Sequence, residues 1–122
     1  MDLKFAGQRV TAQDAGYTVA LAFGDGYEAR IETPFSLRRP GGDLEVTPGE
    51  TELPDLIGRV VTIAQADDDG GLRIDFEDGS RLLVSADPDY EAWTVAGPDG
   101  FKVVSEPGGG LAVWSDAAQG SD

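Results

Sequence analysis

Residues 72–84 read LRIDFEDGSRLLV, and this stretch decides the fold. Its first half alternates apolar and charged side chains, a period of two that is typical of a strand with one buried face. If residues 77–79 then form a three-residue loop with Gly79 left-handed, Ile74 lies opposite Leu82, Leu72 opposite Val84, and Asp75 opposite Arg81. A two-residue turn would mix the faces. The sequence therefore predicts a β-hairpin with the longer loop.

The same hairpin recurs earlier in the chain. Phe23 and the loop at residues 24–26 match Phe76 and the loop at residues 77–79. Similarity extends upstream and downstream of each hairpin, which predicts a duplicated five-strand unit over residues 1–50 and 53–110. The alternative is that β-meanders reuse Gly, Pro and Asp at turns for local steric reasons.

The strand pattern predicts an all-β fold of ten or eleven short antiparallel strands with almost no helix. Pro54–Ile57 is the one stretch that we expect to form a helical turn. So many strands must protect their sheet edges, either by closing into a barrel or by packing as a two-sheet sandwich. In a pseudo-two-fold arrangement each copy would contribute one sheet. We expect one domain over residues 1–114, followed by a flexible tail at 115–122.

Charge excludes several classes of partner. Nine basic and twenty-three acidic residues give a net charge of -14, which repels phosphate backbones and anionic lipids. We therefore expect neither nucleic-acid nor membrane binding. With no cysteine and no long apolar run, the sequence predicts a cytoplasmic protein. The acidity either serves solubility, or reflects an organism's general bias, or forms a docking face for a basic partner.

Residues suited to catalysis are few. Histidine is absent, and no serine lies in a nucleophile elbow. Asp75 and Glu77 could form an acid/base pair, but we expect a solvated face on which Asp75 pairs with Arg81. Asp67–Asp69 is either a solvated loop or a weak cation site, because adjacent carboxylates in an extended chain point in different directions. We predict a protein that is not an enzyme and needs no cofactor or metal.

One part of the sequence has the residue types of a protein-binding surface. Aromatic residues beside acidic ones either cap the core or form a docking surface, in which aromatic hot spots sit inside a polar rim. If this protein binds a partner, the candidate residues are Asp87, Asp89, Tyr90, Glu91, Trp93 and Trp114.

The segment DPDYEAW at 87–93, with FEDG at 76–79 and PGGGLAVW at 107–114, resembles a small bacterial family known only as a domain of unknown function and seen mostly in actinobacteria. The resemblance covers about the last two-thirds of the chain and reaches the first third through the repeat. It implies a stand-alone cytosolic bacterial domain. Because the family has no established activity, no catalytic residue can be transferred.

Two classes of function follow. The first is a non-enzymatic acidic domain that binds a basic protein, such as an immunity or inhibitor protein. The second is a small-ligand-binding β-barrel or a minor enzyme that uses carboxylates. A third possibility is an accessory domain with a scaffold role. The sequence fits either a monomer or a homodimer.

Overall fold

The computed structural model describes residues 1–114, so the predicted flexible tail at 115–122 lies outside the described residues. Within residues 1–114 there are eleven strands and one short 3-10 turn, at Pro98–Gly100. The strands are β1 (Val10–Ala15), β2 (Val19–Phe23), β3 (Tyr27–Ile31), β4 (Phe35–Arg38), β5 (Leu44–Val46), β6 (Val61–Ala66), β7 (Leu72–Phe76), β8 (Arg81–Val84), β9 (Trp93–Ala96), β10 (Lys102–Ser105) and β11 (Leu111–Trp114).

The strands form two antiparallel sheets that enclose one hydrophobic core. The six-stranded sheet has the order β1-β2-β3-β9-β10-β11, and the five-stranded sheet has the order β5-β4-β8-β7-β6. Alternate side chains of both sheets are buried between them, among them Leu21 and Val95 from one sheet and Ile74 and Leu82 from the other. This confirms the all-β prediction and decides between its alternatives, because the arrangement is a two-sheet sandwich.

The hairpin of residues 72–84 has the predicted register. Asp75 lies opposite Arg81, and the paired residues Leu72 and Val84 and the paired residues Ile74 and Leu82 are buried on the other face. The Phe76 N–H donates to the Ser80 carbonyl at 2.9 Å, and Gly79 has a φ of 90°. Glycine adopts this left-handed conformation without the steric cost that a Cβ would add. The three-residue loop is therefore confirmed.

The expectation that each half contributes one sheet is wrong. Strands β1–β3 join β9 and β10 in the six-stranded sheet, whereas β6–β8 join β4 and β5 in the other. Each half crosses to the opposite sheet after its third strand, at residues 32–34 and 85–92. Both crossings contain a proline, which cannot donate to a strand ladder. As a result neither half completes a sheet alone.

Matching positions of the two halves make matching hydrogen bonds. The Gly7 N–H donates to the Val61 carbonyl at 2.7 Å, and the Gly58 N–H donates to the Val10 carbonyl at 2.8 Å. The register of β1 shifts just after Val10, as the register of β6 does just after Val61. These positions are related by an offset of 51 residues, two fewer than the offset of 53 between Phe23 and Phe76, because the second half has a longer loop before its hairpin. A gene duplication as the origin of the repeat stays a prediction.

The segments that precede β1 and β6 cover two of the sheet edges. Residues 1–8 run along β6, where the Leu3 N–H donates to the Ala64 carbonyl at 2.9 Å. Residues 54–59 run along β1, where the Gln13 side chain accepts the Leu56 N–H at 2.7 Å. The helical turn expected at Pro54–Ile57 is wrong, because residues 54–56 have no regular secondary structure and Ile57 begins a turn, while the Leu56 N–H is bonded to Gln13 and not within a helix. Within the described part of the chain, no helix is long and apolar enough to cross a membrane.

Candidate functional site

Six loops meet at one end of the sandwich, which we call the acidic end. They comprise residues 16–18, 32–34, 47–53, 67–71, 85–92 and 106–110. These loops contain no lysine and no arginine. They contain ten carboxylates, those of Glu32, Glu50, Glu52, Asp67, Asp68, Asp69, Asp87, Asp89, Glu91 and Glu106.

Hydrogen bonds hold these loops together, and two of them are buried. The Gly70 carbonyl accepts the indole N–H of Trp93 at 2.9 Å and the hydroxyl of Ser105 at 2.8 Å. The Gly108 N–H donates to the Asp87 carbonyl at 2.9 Å, which joins the loop of 106–110 to the loop of 85–92. Since groups buried in the core lose water, their paired bonds fix the loops relative to the sheets.

The aromatic candidate Trp93 belongs to the core. Its side chain is 0% exposed, and its only polar atom is satisfied by Gly70. A residue buried to this degree cannot touch a partner, so Trp93 leaves the candidate surface. Its role is to hold the loop of residues 67–71 in place through the hydrogen bond to Gly70.

Two of the aspartates shape their own loops. An Oδ1 of Asp67 accepts the N–H groups of Asp69 and Gly71, at 2.9 Å and 2.8 Å. An Oδ1 of Asp87 accepts those of Asp89 and Tyr90, at 2.8 Å and 3.1 Å. Aspartate commonly bonds the backbone two residues ahead in turns.

Cation binding at Asp67–Asp69 stays untested. Over residues 1–114 no three or more His, Cys, Asp or Glu side chains are grouped so as to hold a metal ion. The sequence hypothesis of a weak cation site therefore has no ligand cluster in its favour.

Four of the candidate residues lie in one loop, and the structure adds two neighbours. Tyr90 is 69% exposed, between the exposed Asp89 and Glu91. Together with Glu91 it borders a cleft of about 420 Å³, whose other wall is Glu32 and Thr33. Glu32 comes close because its N–H donates to the Ala92 carbonyl at 2.9 Å. Sequence reasoning missed it, since this contact depends on β3 pairing with β9.

A second exposed tyrosine lies elsewhere at the acidic end. Tyr17 is 96% exposed and borders a cleft of about 560 Å³ with Glu50, Glu52 and Leu53 among its walls. In the sequence, Tyr17 alternates with Val19, Leu21 and Phe23, a pattern that predicts a strand from Tyr17 onwards. The strand begins only at Val19, and Tyr17 lies in the preceding turn. Gly16, directly before it, was the one signal in the sequence for that turn.

The remaining candidate, Trp114, is separated from the loop of Tyr90. It is 46% exposed on β11 and lies opposite Lys102, whose Nζ is 5.5 Å from the ring centroid. Lys102 also pairs with Ala96, at the end of β9 that points away from the acidic end. The structure therefore does not bring Trp114 together with the other exposed candidates.

The carboxylate pair considered for acid/base chemistry is engaged in other bonds. Asp75 accepts hydrogen bonds from Arg81, as predicted, and also from Arg73, at distances of 2.8–3.2 Å. The bonds from Arg73 lower the pKa of Asp75 most, partial burial opposes them by raising it, and Arg81 lowers it further. Glu77 accepts the Val60 N–H at 3.1 Å. Both carboxylates hold local structure in these contacts.

This architecture and this site define the class of protein as an antiparallel two-sheet sandwich with an acidic loop end. Residues 1–115 match DUF6188, a family of unknown function, and the chain belongs to that family. The match spans both halves, including the first third, where the resemblance rested on the internal repeat. No curated protein and no solved structure matches the chain.

Proposed function

We propose that this protein is a non-enzymatic binding domain that holds a basic protein partner against its acidic end. An immunity or inhibitor protein that neutralises a basic toxin or nuclease would act in this way. The observation that supports the proposal is the composition of the six loops, which carry ten carboxylates and no basic side chain. Such a surface attracts a basic partner from a distance and repels acidic competitors.

The distribution of ion pairs favours the same function. The structure has four ion pairs among residues 1–114, and they use the carboxylates of Glu28, Asp75 and Asp78. All three lie outside the acidic end. No carboxylate of the acidic end forms an ion pair within residues 1–114. Short-range pairing with lysine or arginine therefore does not cancel the negative electrostatic field of these carboxylates.

Tyr90 supplies the apolar contact that charge alone does not. A protruding tyrosine surrounded by Asp89, Glu91 and Glu32 has the composition of an interface hot spot within a polar rim. Since the Asp87 carboxylate already orders this loop, little conformational entropy is lost when a partner binds.

A small-ligand protein is the second candidate, on the strength of the cleft beside Tyr17. Its volume of about 560 Å³ falls in the range of about 300–1,000 Å³ that is usual for small-molecule sites. A minor enzyme would use the same cleft with Glu50 and Glu52. A thermal-shift screen of small cationic metabolites separates this candidate from the first, because hits there must be lost in a Tyr17→Ala variant.

The test of the proposed function uses a synthetic basic peptide, GSGSGKRKR, as the charge probe. NMR titration of the full chain should move the amide signals of residues 32–34, 67–71 and 85–92. A double variant, Asp89→Asn with Glu91→Gln, should weaken binding about three- to tenfold at low salt.

A second double variant is the matched control. Asp25→Asn with Asp43→Asn removes the same charge from exposed residues outside the acidic end. If this control weakens binding as much as the acidic-end variant does, the peptide responds to net charge alone and the proposed function is wrong.

A further inference from the structure

The outer edge of β11 is unlike any other edge of the sandwich. β11 pairs with β10 on one side, and no strand among residues 1–114 pairs with its other side. All four of its side chains are uncharged, and Val113 and Trp114 are 49% and 46% exposed. An exposed edge of this kind is a template for pairing with another chain.

The other three edges are protected. Residues 1–8 cover β6 and residues 54–59 cover β1. β5 has only three residues, and the exposed Glu45 lies in its middle. Short length and charge are common devices that stop strands from pairing between molecules. Among residues 1–114, nothing covers β11 and none of its own side chains is charged, which points to an edge that is kept available for binding.

The register shows which backbone groups face the open side. The Glu106 N–H donates to the Gly110 carbonyl at 2.8 Å, so these two residues form a hydrogen-bonded pair. Hydrogen-bonded and non-hydrogen-bonded pairs alternate along an antiparallel ladder, and Ala112 and Trp114 therefore bond to β10. Leu111 and Val113 direct their N–H and C=O groups outwards, where another strand can accept and donate.

Charge indicates what kind of strand fits. β11 begins beside the acidic end, where a carboxylate oxygen of Glu106 lies 3.2 Å from the position that a Cβ on Gly110 would take. A strand added antiparallel to β11 runs toward that end. Positive side chains placed just after its paired residues would therefore lie over Glu106 and the neighbouring acidic loops.

We propose that β11 binds an extended basic segment of the partner as a seventh, antiparallel strand. Three or four uncharged residues of the segment pair with Leu111 and Val113, and lysine or arginine residues follow directly on their C-terminal side. The inference rests on the proposed function and adds the conformation and sequence pattern of the partner. A second copy of this chain is a poorer occupant, because two molecules of net charge -14 repel each other.

The experiment compares three peptides by calorimetric titration of the full chain at low salt. TVTVGKRKR has the proposed order, KRKRGVTVT has the reverse order, and GSGSGKRKR lacks the pairing residues. The first should bind about tenfold tighter than the other two, which corresponds to one or two net hydrogen bonds. Equal affinities of the three peptides would overturn the strand addition.

Two variants of one residue test the mechanism. Val113→Pro removes an outward N–H that β10 does not use, and proline is tolerated where an edge N–H faces solvent. Val113→Thr keeps this N–H and a β-branched side chain. Affinity for TVTVGKRKR should fall to the level of GSGSGKRKR in the proline variant and stay unchanged in the threonine variant. Thermal melts of both variants establish that they are folded.

The results separate this inference from the proposed function. If the three peptides bind equally and the acidic-end variant weakens all of them, the proposed function holds and strand addition fails. If none of the basic peptides binds, the proposed function itself fails. Sedimentation adds one more outcome, because a dimer that Val113→Pro dissociates would make a second copy the occupant and overturn the proposal.

Discussion

The two ends of the sandwich use the same residue types for different purposes. At the end opposite the acidic loops, the turns at 24–26, 39–43, 77–80 and 97–101 also contain aspartate and glutamate. There Asp78 forms an ion pair with Arg59 and accepts the Ser80 N–H at 2.9 Å. At this end Asp78 therefore stabilises its own turn and is neutralised by a neighbouring arginine.

At the acidic end, by contrast, the loops themselves carry only negative charge. Asp67 and Asp87 order the backbone, as Asp78 does at the other end, but no arginine or lysine of the described residues forms an ion pair with them. The comparison teaches that turn formation accounts for two of these carboxylates at most. The other eight accept no hydrogen bond and form no ion pair with a side chain of residues 1–114, and contact with a basic partner is the role that we propose for them.

The largest expected effect is on stability, and it distinguishes the buried Trp93 from the exposed Tyr90 of the same segment. Trp93→Ala should destabilise the protein by about 3–5 kcal/mol, because it leaves a large cavity and removes one of the two hydrogen bonds to the Gly70 carbonyl. Tyr90→Ala should change stability by less than about 0.5 kcal/mol, since exposed substitutions rarely cost more. Urea unfolding of the two variants measures both. Similar losses of stability would mean that Tyr90 is a structural residue like Trp93, and would contradict its assignment to the binding surface.

A pair of glycines tests how tightly the acidic loops pack. Gly70 and Gly108 have φ angles of 84° and 86°, so alanine is strained at both, by about 1–2 kcal/mol. Only at Gly70 would the new Cβ also lie 2.6 Å from a backbone oxygen, that of Gly109. We expect Gly70→Ala to cost at least about 1 kcal/mol more than Gly108→Ala in thermal or urea melts. Equal costs would show that the two loops move apart easily.

Removing one carboxylate should have opposite effects at the two ends. Asp78→Ala loses the Arg59 ion pair and the bond to Ser80, and should cost about 1 kcal/mol. Asp68→Ala at the acidic end should leave stability unchanged or raise it by up to about 0.5 kcal/mol, because it relieves repulsion. Chemical denaturation at low salt provides both values. A loss of stability in Asp68→Ala would weaken the contrast between the ends.

The smallest expected effect concerns pH, because the groups involved are partly open to water. Hydrogen bonds from Arg73 first, and from Arg81, lower the pKa of Asp75 in the folded protein against the opposing effect of partial burial. Its contribution to stability is therefore complete above the unfolded pKa of about 3.9 and is lost as the pH falls through the lower folded pKa. The Asp75→Asn variant should lose less stability between about pH 5 and pH 2 than the wild type does. Equal slopes would contradict this assignment.

Local features were the ones that could be predicted. The register of the hairpin at 72–84 and the bond between Asp75 and Arg81 were correct, because a short loop leaves few ways to align two alternating strands. The pairing of β3 with β9 was beyond the sequence, since the alternation of β3 fits any neighbouring strand equally well. The contact of Glu32 with the loop of Tyr90 follows from that pairing and was missed with it.

The exposure of aromatic residues was equally ambiguous. Trp93 and Tyr90 are three residues apart in one acidic segment, yet the first is buried and the second protrudes. The periodicity of a short strand does not say where the strand begins. For the same reason the alternation of Tyr17 with Val19 predicts a strand that begins two residues too early, and Tyr17 lies exposed between β1 and β2.

The sequence by itself determined that this protein is an acidic all-β domain built from short hairpins, and that one of its segments joins aromatic to acidic residues. Composition, period-two alternation and turn residues are properties of neighbouring positions, so they can be read without the fold. Only the tertiary structure decided that each half contributes strands to both sheets and that six loops from both halves form one acidic end. Those facts depend on contacts between distant parts of the chain, which are selected by the packing of the whole core.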